Sequence, residues 1–254
     1  MTMSGATRTS FFDWQTSSKG RAALRWGEGL LALLFPPRCL LCGRRLGVLK
    51  VLCAACEEAL SSLEGARCAR CQELLVDPRV DICEVCGTQE RGFDLARSLG
   101  PYAGNWGELV RAFKFGREKT VSSLLARCMV KYLLRQKPFG PIDVVTYVPM
   151  SRTDRRRRGF NQAQILARSI GRRLGIPVLP LLAKVRETLP QAALSAIKRR
   201  ENLHEAFRQI RSVKRGRVLL VDDVYTTGAT VEECARVLKM GGHRAVFVLT
   251  VART

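Results

Sequence analysis

Residues Val218-Leu219-Leu220-Val221-Asp222-Asp223-Val224-Tyr225-Thr226-Thr227-Gly228-Ala229-Thr230 constrain the chain more than any other stretch. Four consecutive aliphatic residues read as a strand buried on both faces, the kind found inside a parallel sheet. Two carboxylates follow where that strand surfaces at its carboxyl end, the side on which open α/β sheets bind ligands. The hydroxyl-rich turn at 226–230 holds a glycine able to take positive φ, and 231–240 reads as the helix leaving it. Backbone N–H groups of such a turn and the positive end of its helix converge on one point, which suits a phosphate. Asp222 and Asp223 can then accept hydrogen bonds from sugar hydroxyls or hold Mg2+ through water. Phosphate on the turn and a diol on the acid pair describe a ribose 5-phosphate.

The surrounding pattern supplies the rest of a sheet. Strands are expected over 96–102, 144–148 and 245–251, with an edge strand over 178–182 interrupted by Pro180. Helices are expected over 106–115, 121–134 and 161–174. Strands alternating with helices argue a mainly parallel α/β sheet.

Ahead of this globular part, eight of the ten cysteines fall in four C-x-x-C pairs: Cys39/Cys42, Cys53/Cys56, Cys68/Cys71 and Cys83/Cys86. That spacing suits metal knuckles better than disulfides, and four thiolates closed around Zn2+ make a structural site rather than a catalytic one. The simplest arrangement is sequential, two knuckles to each of two ions, with interleaved pairing left open. So few apolar residues lie between the knuckles that the segment would hardly fold without metal. Cys128 and Cys234 lie in helical patterns and read as ordinary buried thiols. The chain therefore divides into a disordered tail at 1–23, a short helix and double zinc module at 24–90, and a ligand-binding domain at 91–254.

Charge sets the partners. The formal net charge is +21, and residues 151–215 alone hold 17 Lys and Arg against 4 Asp and Glu. Arg155 to Arg158 sits between a strand end and a helix, on the side of the sheet that carries the acid pair, where guanidinium forks match a pyrophosphate. The same charge would also track a single-stranded nucleic-acid backbone, with strong salt dependence and no sequence preference. No apolar run is long enough to span a bilayer or shaped as a signal peptide, so a cytoplasmic location is expected.

The acid pair and the turn together resemble the phosphoribosyl-pyrophosphate (PRPP) loop of type I phosphoribosyltransferases. With the four knuckles, Phe113-Lys114-Phe115-Gly116-Arg117, Arg157-Arg158-Gly159-Phe160-Asn161-Gln162, Gln191-Ala192-Ala193-Leu194-Ser195 and Arg200-Glu201-Asn202-Leu203, the chain resembles the ComF family: a zinc module joined to a phosphoribosyltransferase-like domain and associated with DNA uptake. The resemblance implies that Asp222 and Asp223 hold the ribose hydroxyls and act in catalysis. Tyr225, Thr226, Thr227, Gly228, Ala229 and Thr230 would form the phosphate site, and Ser151, Arg157 and Arg158 the pyrophosphate loop. Ser195, Arg199, Arg200 and Asn202 would belong to a flap. It implies Mg2+ with PRPP, two structural Zn2+, and uptake machinery or single-stranded DNA as partners. In oxopurine salvage enzymes of this superfamily an Asp stands where this chain has Thr226, so a hypoxanthine or guanine acceptor is disfavoured, and turnover competes with a non-catalytic binding role.

Overall fold

The computed structural model describes residues 37–47, 50–114, 118–186, 203, 205–211, 213 and 216–254. The tail at 1–23, the short helix expected before the first knuckle, and the flap residues Ser195, Arg199, Arg200 and Asn202 lie outside them.

The described elements are α1 (Ala54–Glu58), α2 (Glu84–Thr88), β1 (Leu95–Pro101), α3 (Asn105–Lys114), α4 (Glu118–Gln136), β2 (Val144–Tyr147), α5 (Arg152–Arg158), α6 (Gln162–Leu174), β3 (Leu182–Lys184), β4 (Phe207–Gln209), β5 (Arg217–Tyr225), α7 (Ala229–Met240) and β6 (Ala245–Arg253). Four strands form a sheet in the order β1-β6-β5-β2, with every neighbour parallel. The most apolar strands hold the centre. Val218 to Val221 and Val246 to Ala252 are buried throughout, which a central strand covered on both faces requires.

Alternate residues of these strands feed two cores, as the period of two dictates. Leu219, Val221, Phe247, Leu249 and Val251 pack with Leu109 and Phe113 of α3, Leu125 and Met129 of α4, and Leu166 and Ile170 of α6. Val218, Leu220, Val246 and Val248 pack with Val231, Cys234 and Leu238 of α7 on the opposite face. β3 and β4 form an antiparallel ribbon, and Leu182 and Phe207 join it to the α7 side of the core.

Two expectations need correction here. The edge strand at 178–182 reduces to one parallel bridge between Val145 and Val178. Pro177 and Pro180 have no N–H to give a ladder, so the chain leaves the sheet and pairs instead as the ribbon. The arginine run is not an open loop. Ser151 Oγ accepts from Asp154 N at 3.0 Å, Gly159 closes the other end at φ 80°, and Arg152–Arg158 winds into helix α5 between them.

The two halves of the zinc module are built alike. Cys39 N–H donates to Arg44 O at 2.7 Å and Cys68 N–H to Glu73 O at 2.8 Å, with Gly43 and Gln72 at the left-handed position of each knuckle. The second cysteine pair of each half opens a helical turn, Cys53 capping α1 and Cys83 capping α2. Yet the halves serve different cores. Cys39, Leu52 and Cys53 belong to the α3/α4/α6 side, and Cys68, Cys71 and Cys86 to the α7 side. The second half also closes an open sheet edge: Ala96 N–H donates to Arg70 O at 2.8 Å and Ser98 N–H to Gln72 Oε1 at 2.5 Å, along β1. An edge strand so covered cannot recruit another chain. Among the described residues no helix is long and apolar enough to cross a membrane.

Candidate ligand cleft and zinc centres

β2 and β5 stay paired only as far as Tyr147 and Val221, while β5 remains paired with β6 through Tyr225. Asp222 and Asp223 therefore lie in β5 itself, just past the point where β2 departs. The chain leaving β2 continues to α6 on one face and the chain leaving β5 to α7 on the other. Such a divergence opens a crevice at the carboxyl ends of the strands.

That crevice is a cavity of about 150 Å3 lined by Lys114, Ser151, Asp154, Arg158, Asn161, Lys184, Asp222 and Asp223, among others. Asp223 N–H donates to Asp222 Oδ1 at 2.9 Å, and Lys114 Nζ stands 3.0 Å from Asp223 Oδ2. Burial, and then the charge of Asp223, push the Asp222 carboxyl up to about 8. One lysine thus faces two carboxyl groups, an arrangement with room for a second positive centre or a donating diol. The wall opposite is pinned at its base, where Asn161 Nδ2 donates to Val148 O at 3.0 Å and Asn161 Oδ1 caps α6 through Gln164 N. Ser151 and Arg158 reach the cavity. Arg157 instead pairs with Asp154 at 3.0 Å and is largely exposed.

The hydroxyl-rich turn follows the pair directly, and one of its residues, Thr227, lines a neighbouring hollow. Thr226 and Thr227 are exposed, Gly228 takes φ 78°, and α7 begins at Ala229, so Thr230 lies in its first turn. Thr227 lines a cavity of about 450 Å3 against the second zinc half, not the acid-pair cavity. Tyr225, expected at the phosphate, is a packing residue. Its ring meets Phe93 edge-on, its hydroxyl accepts from Arg91 at 3.1 Å, and it fills the space where a Cβ on Gly228 would stand.

Lys114, Asp154, Asn161 and Lys184 were not marked as site residues by the sequence. Lys114 and Asn161 stood inside motif blocks without an assigned role, and Lys184 carried no signal. Of the histidines, His243 is buried and packs against Gln209. Cys234 is buried as expected, but Cys128 is only half-buried, in a hollow between α1 and α4.

The knuckles pair sequentially. Cys39, Cys42, Cys53 and Cys56 form one cluster and Cys68, Cys71, Cys83 and Cys86 the other, each with its sulfurs mutually within 4.8 Å. Sulfurs at the corners of a tetrahedron with Zn–S of about 2.3 Å lie about 3.8 Å apart. Cys42 and Cys53 stand at 3.7 Å, as do Cys71 and Cys83. Burial raises Cys39 and Cys68, but backbone N–H groups aimed at their sulfurs outweigh it and hold both thiols near 6. Hydrogen bonds shared with Cys42 and Cys53 push Cys56 up to about 12. Four thiolates so close need a cation, and both sites are zinc-binding.

A double zinc ribbon built onto a mainly parallel α/β sheet, with an acid pair and a glycine-turned helix at the carboxyl ends of its strands, defines the class. A family model described as a double zinc ribbon domain matches residues 30–88. The chain belongs to the competence protein F family. It is 33% identical to competence protein F of Haemophilus influenzae over 224 residues, covering 85% of this chain and 96% of that protein. It is 31% identical over 221 residues to the DNA utilization protein YhgH of Salmonella typhi, covering 80% and 97%. Among solved structures it is similar to the glutamine phosphoribosylpyrophosphate amidotransferase of B. subtilis, with 22% identity and a TM-score of 0.39. That match covers 56% of this chain and only 30% of the longer protein.

Proposed function

We propose that the chain binds PRPP between β2 and β5 and transfers its ribose 5-phosphate to an acceptor, releasing pyrophosphate, in the service of DNA uptake in the cytoplasm. The observation that carries this reading is the Asp222–Asp223 pair at the divergence of β2 and β5, followed without a spacer by the Gly228 turn and the amino end of α7. Asp222 and Asp223 hold the ribose hydroxyls, and the turn at 226–230 takes the 5-phosphate. Ser151 and Arg158 stand where the pyrophosphate lies. In the transfer, the bond from ribose C1 to pyrophosphate breaks with its electron pair leaving on the pyrophosphate. The acceptor's lone pair forms the new bond, and its proton passes to solvent. Mg2+ bound with PRPP would neutralise the departing charge. The chain's own part is to hold the ribose and present Arg158 and Lys114 to that charge.

A second reading, a nucleotide- or PRPP-binding adaptor for single-stranded DNA and uptake machinery, is favoured by Thr226, which offers no base to an acceptor. Calorimetric titration of the zinc-loaded protein with PRPP and Mg2+, beside the Asp222→Asn/Asp223→Asn variant, tests the site. Micromolar binding lost in the folded variant is expected. No binding by the wild-type protein at millimolar PRPP overturns the reading. Pyrophosphate release on adding candidate acceptors then separates transferase from adaptor.

A further inference from the structure

A second hollow of about 610 Å3 adjoins the acid-pair cavity and shares Ser151 and Lys184 with it. One wall is the start of α5 and the other is the β3–β4 ribbon. The two hollows differ in charge. The acid-pair cavity sets three cations, Lys114, Arg158 and Lys184, against three carboxylates, Asp154, Asp222 and Asp223. The second is lined by Arg152, Lys184, Arg186 and Arg208 and, among the described residues, by no acidic side chain, over a floor that includes Met150 and Val185. Arg152 opens helix α5, where a cation opposes the helix dipole, so helix stability does not account for its position. Arg208 is exposed on β4 opposite Ala183, whose small side chain leaves the hollow open between the strands.

We infer that this groove is the binding site for a phosphate-bearing nucleotide, the second ligand beside the ribose phosphate, its base lying on the Met150–Val185 floor and its phosphate held by Arg186 and Arg208. A neutral base gains nothing from the guanidinium groups of Arg152, Arg186 and Arg208, whereas a phosphate is matched by such forks. The nucleotide is either free or the end of a single strand, since both carry the same base and phosphate. The inference rests on the proposed PRPP site only for calling this ligand the second one.

The test uses the full zinc-loaded chain and two probes: thymidine monophosphate, and a 5′-phosphorylated oligothymidylate of about a dozen nucleotides. Binding is read by calorimetry and fluorescence anisotropy at about 0.15 M salt. The Arg186→Ser/Arg208→Ser variant should bind the better probe about tenfold more weakly, with PRPP affinity changed less than about twofold. Arg127→Ser/Arg135→Ser on α4 serves as a charge-matched control and should bind normally. Arg186→Lys/Arg208→Lys should lose less of the binding than the serine variant, and both should melt at the wild-type temperature, which excludes misfolding as the cause. Equal affinity for both probes identifies a free nucleotide, and preference for the oligonucleotide identifies a strand end. Failure of both probes to bind, an equal loss in the α4 control, or a parallel loss of PRPP overturns the inference. Should PRPP fail to bind while the groove variant still loses the probe, the groove stands and the PRPP reading falls.

Discussion

Arg91 donates through Nη2 to the hydroxyl of Tyr225 at 3.1 Å, across 134 residues of sequence. The same guanidinium stands 2.9 Å from Glu232 in the first turn of α7, and Glu232 Oε1 accepts from Gly92 N at 2.5 Å. On the other side, Arg253 lies over the Tyr225 ring at 4.7 Å and donates to Cys71 O and to Glu73. The turn at Thr226–Gly228 is thus clamped before and after by residues tied to the second zinc half.

Arg91→Ala should therefore weaken the ligand site without touching it. Its side chain is 6% exposed, so removal takes the ion pair from Glu232, which keeps only the Gly92 N–H, and the donor from the Tyr225 hydroxyl, at a cost of about 2 kcal/mol. Urea unfolding should show that loss, and PRPP titration should show weaker binding in the folded fraction, with zinc content unchanged. A variant as stable as wild type would mean that the clamp contributes nothing.

The two zinc centres should not be equivalent. Cys71→Ser opens the cluster that supports Arg253, and it removes a thiolate from the α7 side of the core. Cys42→Ser alters an exposed ligand of the first cluster. Each variant should lose one zinc ion of the two. Cys71→Ser should additionally weaken PRPP binding by about tenfold, since it loosens the clamp on the turn. Equal effects on PRPP from both variants would place the coupling elsewhere.

The parts of this arrangement that were legible in the sequence are contiguous ones. Val218 to Thr230 declares a strand, an acid pair and a helix start in thirteen adjacent positions, and the structure builds β5, the pair and α7 from them. The C-x-x-C pairs likewise carry their own spacing. What stayed hidden depends on chain segments meeting in space. Lys114 reaches Asp223 only because α3 ends at the same edge of the sheet. The β3–β4 ribbon is three residues a side, too short for periodicity to register. That the zinc halves pack on opposite faces of the sheet follows from β1 lying at its edge, which local pattern does not encode.

Gly228 is required twice over, once by backbone and once by space. Its φ is 78°, and an added Cβ would stand 2.2 Å from the Tyr225 hydroxyl. Gly159 has φ 80° with open space around it, so Gly159→Ala should cost about 1 kcal/mol, the backbone share alone. Gly228→Ala should cost about 2 kcal/mol or more, because Tyr225 must give way against Phe93 and Arg91. Chemical denaturation of the two variants compares them directly. Equal costs would mean that the Tyr225 contact relaxes freely.

Asp222 should give the protein an unusual dependence on pH. Its carboxyl is held near 8 by burial and by Asp223, against about 3.9 in an unfolded chain. A folded-state value above the unfolded one favours the protonated folded form. The contribution to stability is therefore complete below about pH 4 and is lost as pH rises through 8. Asp222→Asn removes the titration, so its stability relative to wild type should rise between about pH 5.5 and pH 9, by up to about 3 kcal/mol. Binding of PRPP with Mg2+ should run the opposite way in wild type and strengthen over the same interval, because the ionised carboxylate is the better acceptor for the ribose hydroxyls. Lys114 lowers the Asp222 value through its charge, so Lys114→Met should move the midpoint of both curves upward. Parallel melting curves for wild type and Asp222→Asn across that range would show that Asp222 is ionised throughout.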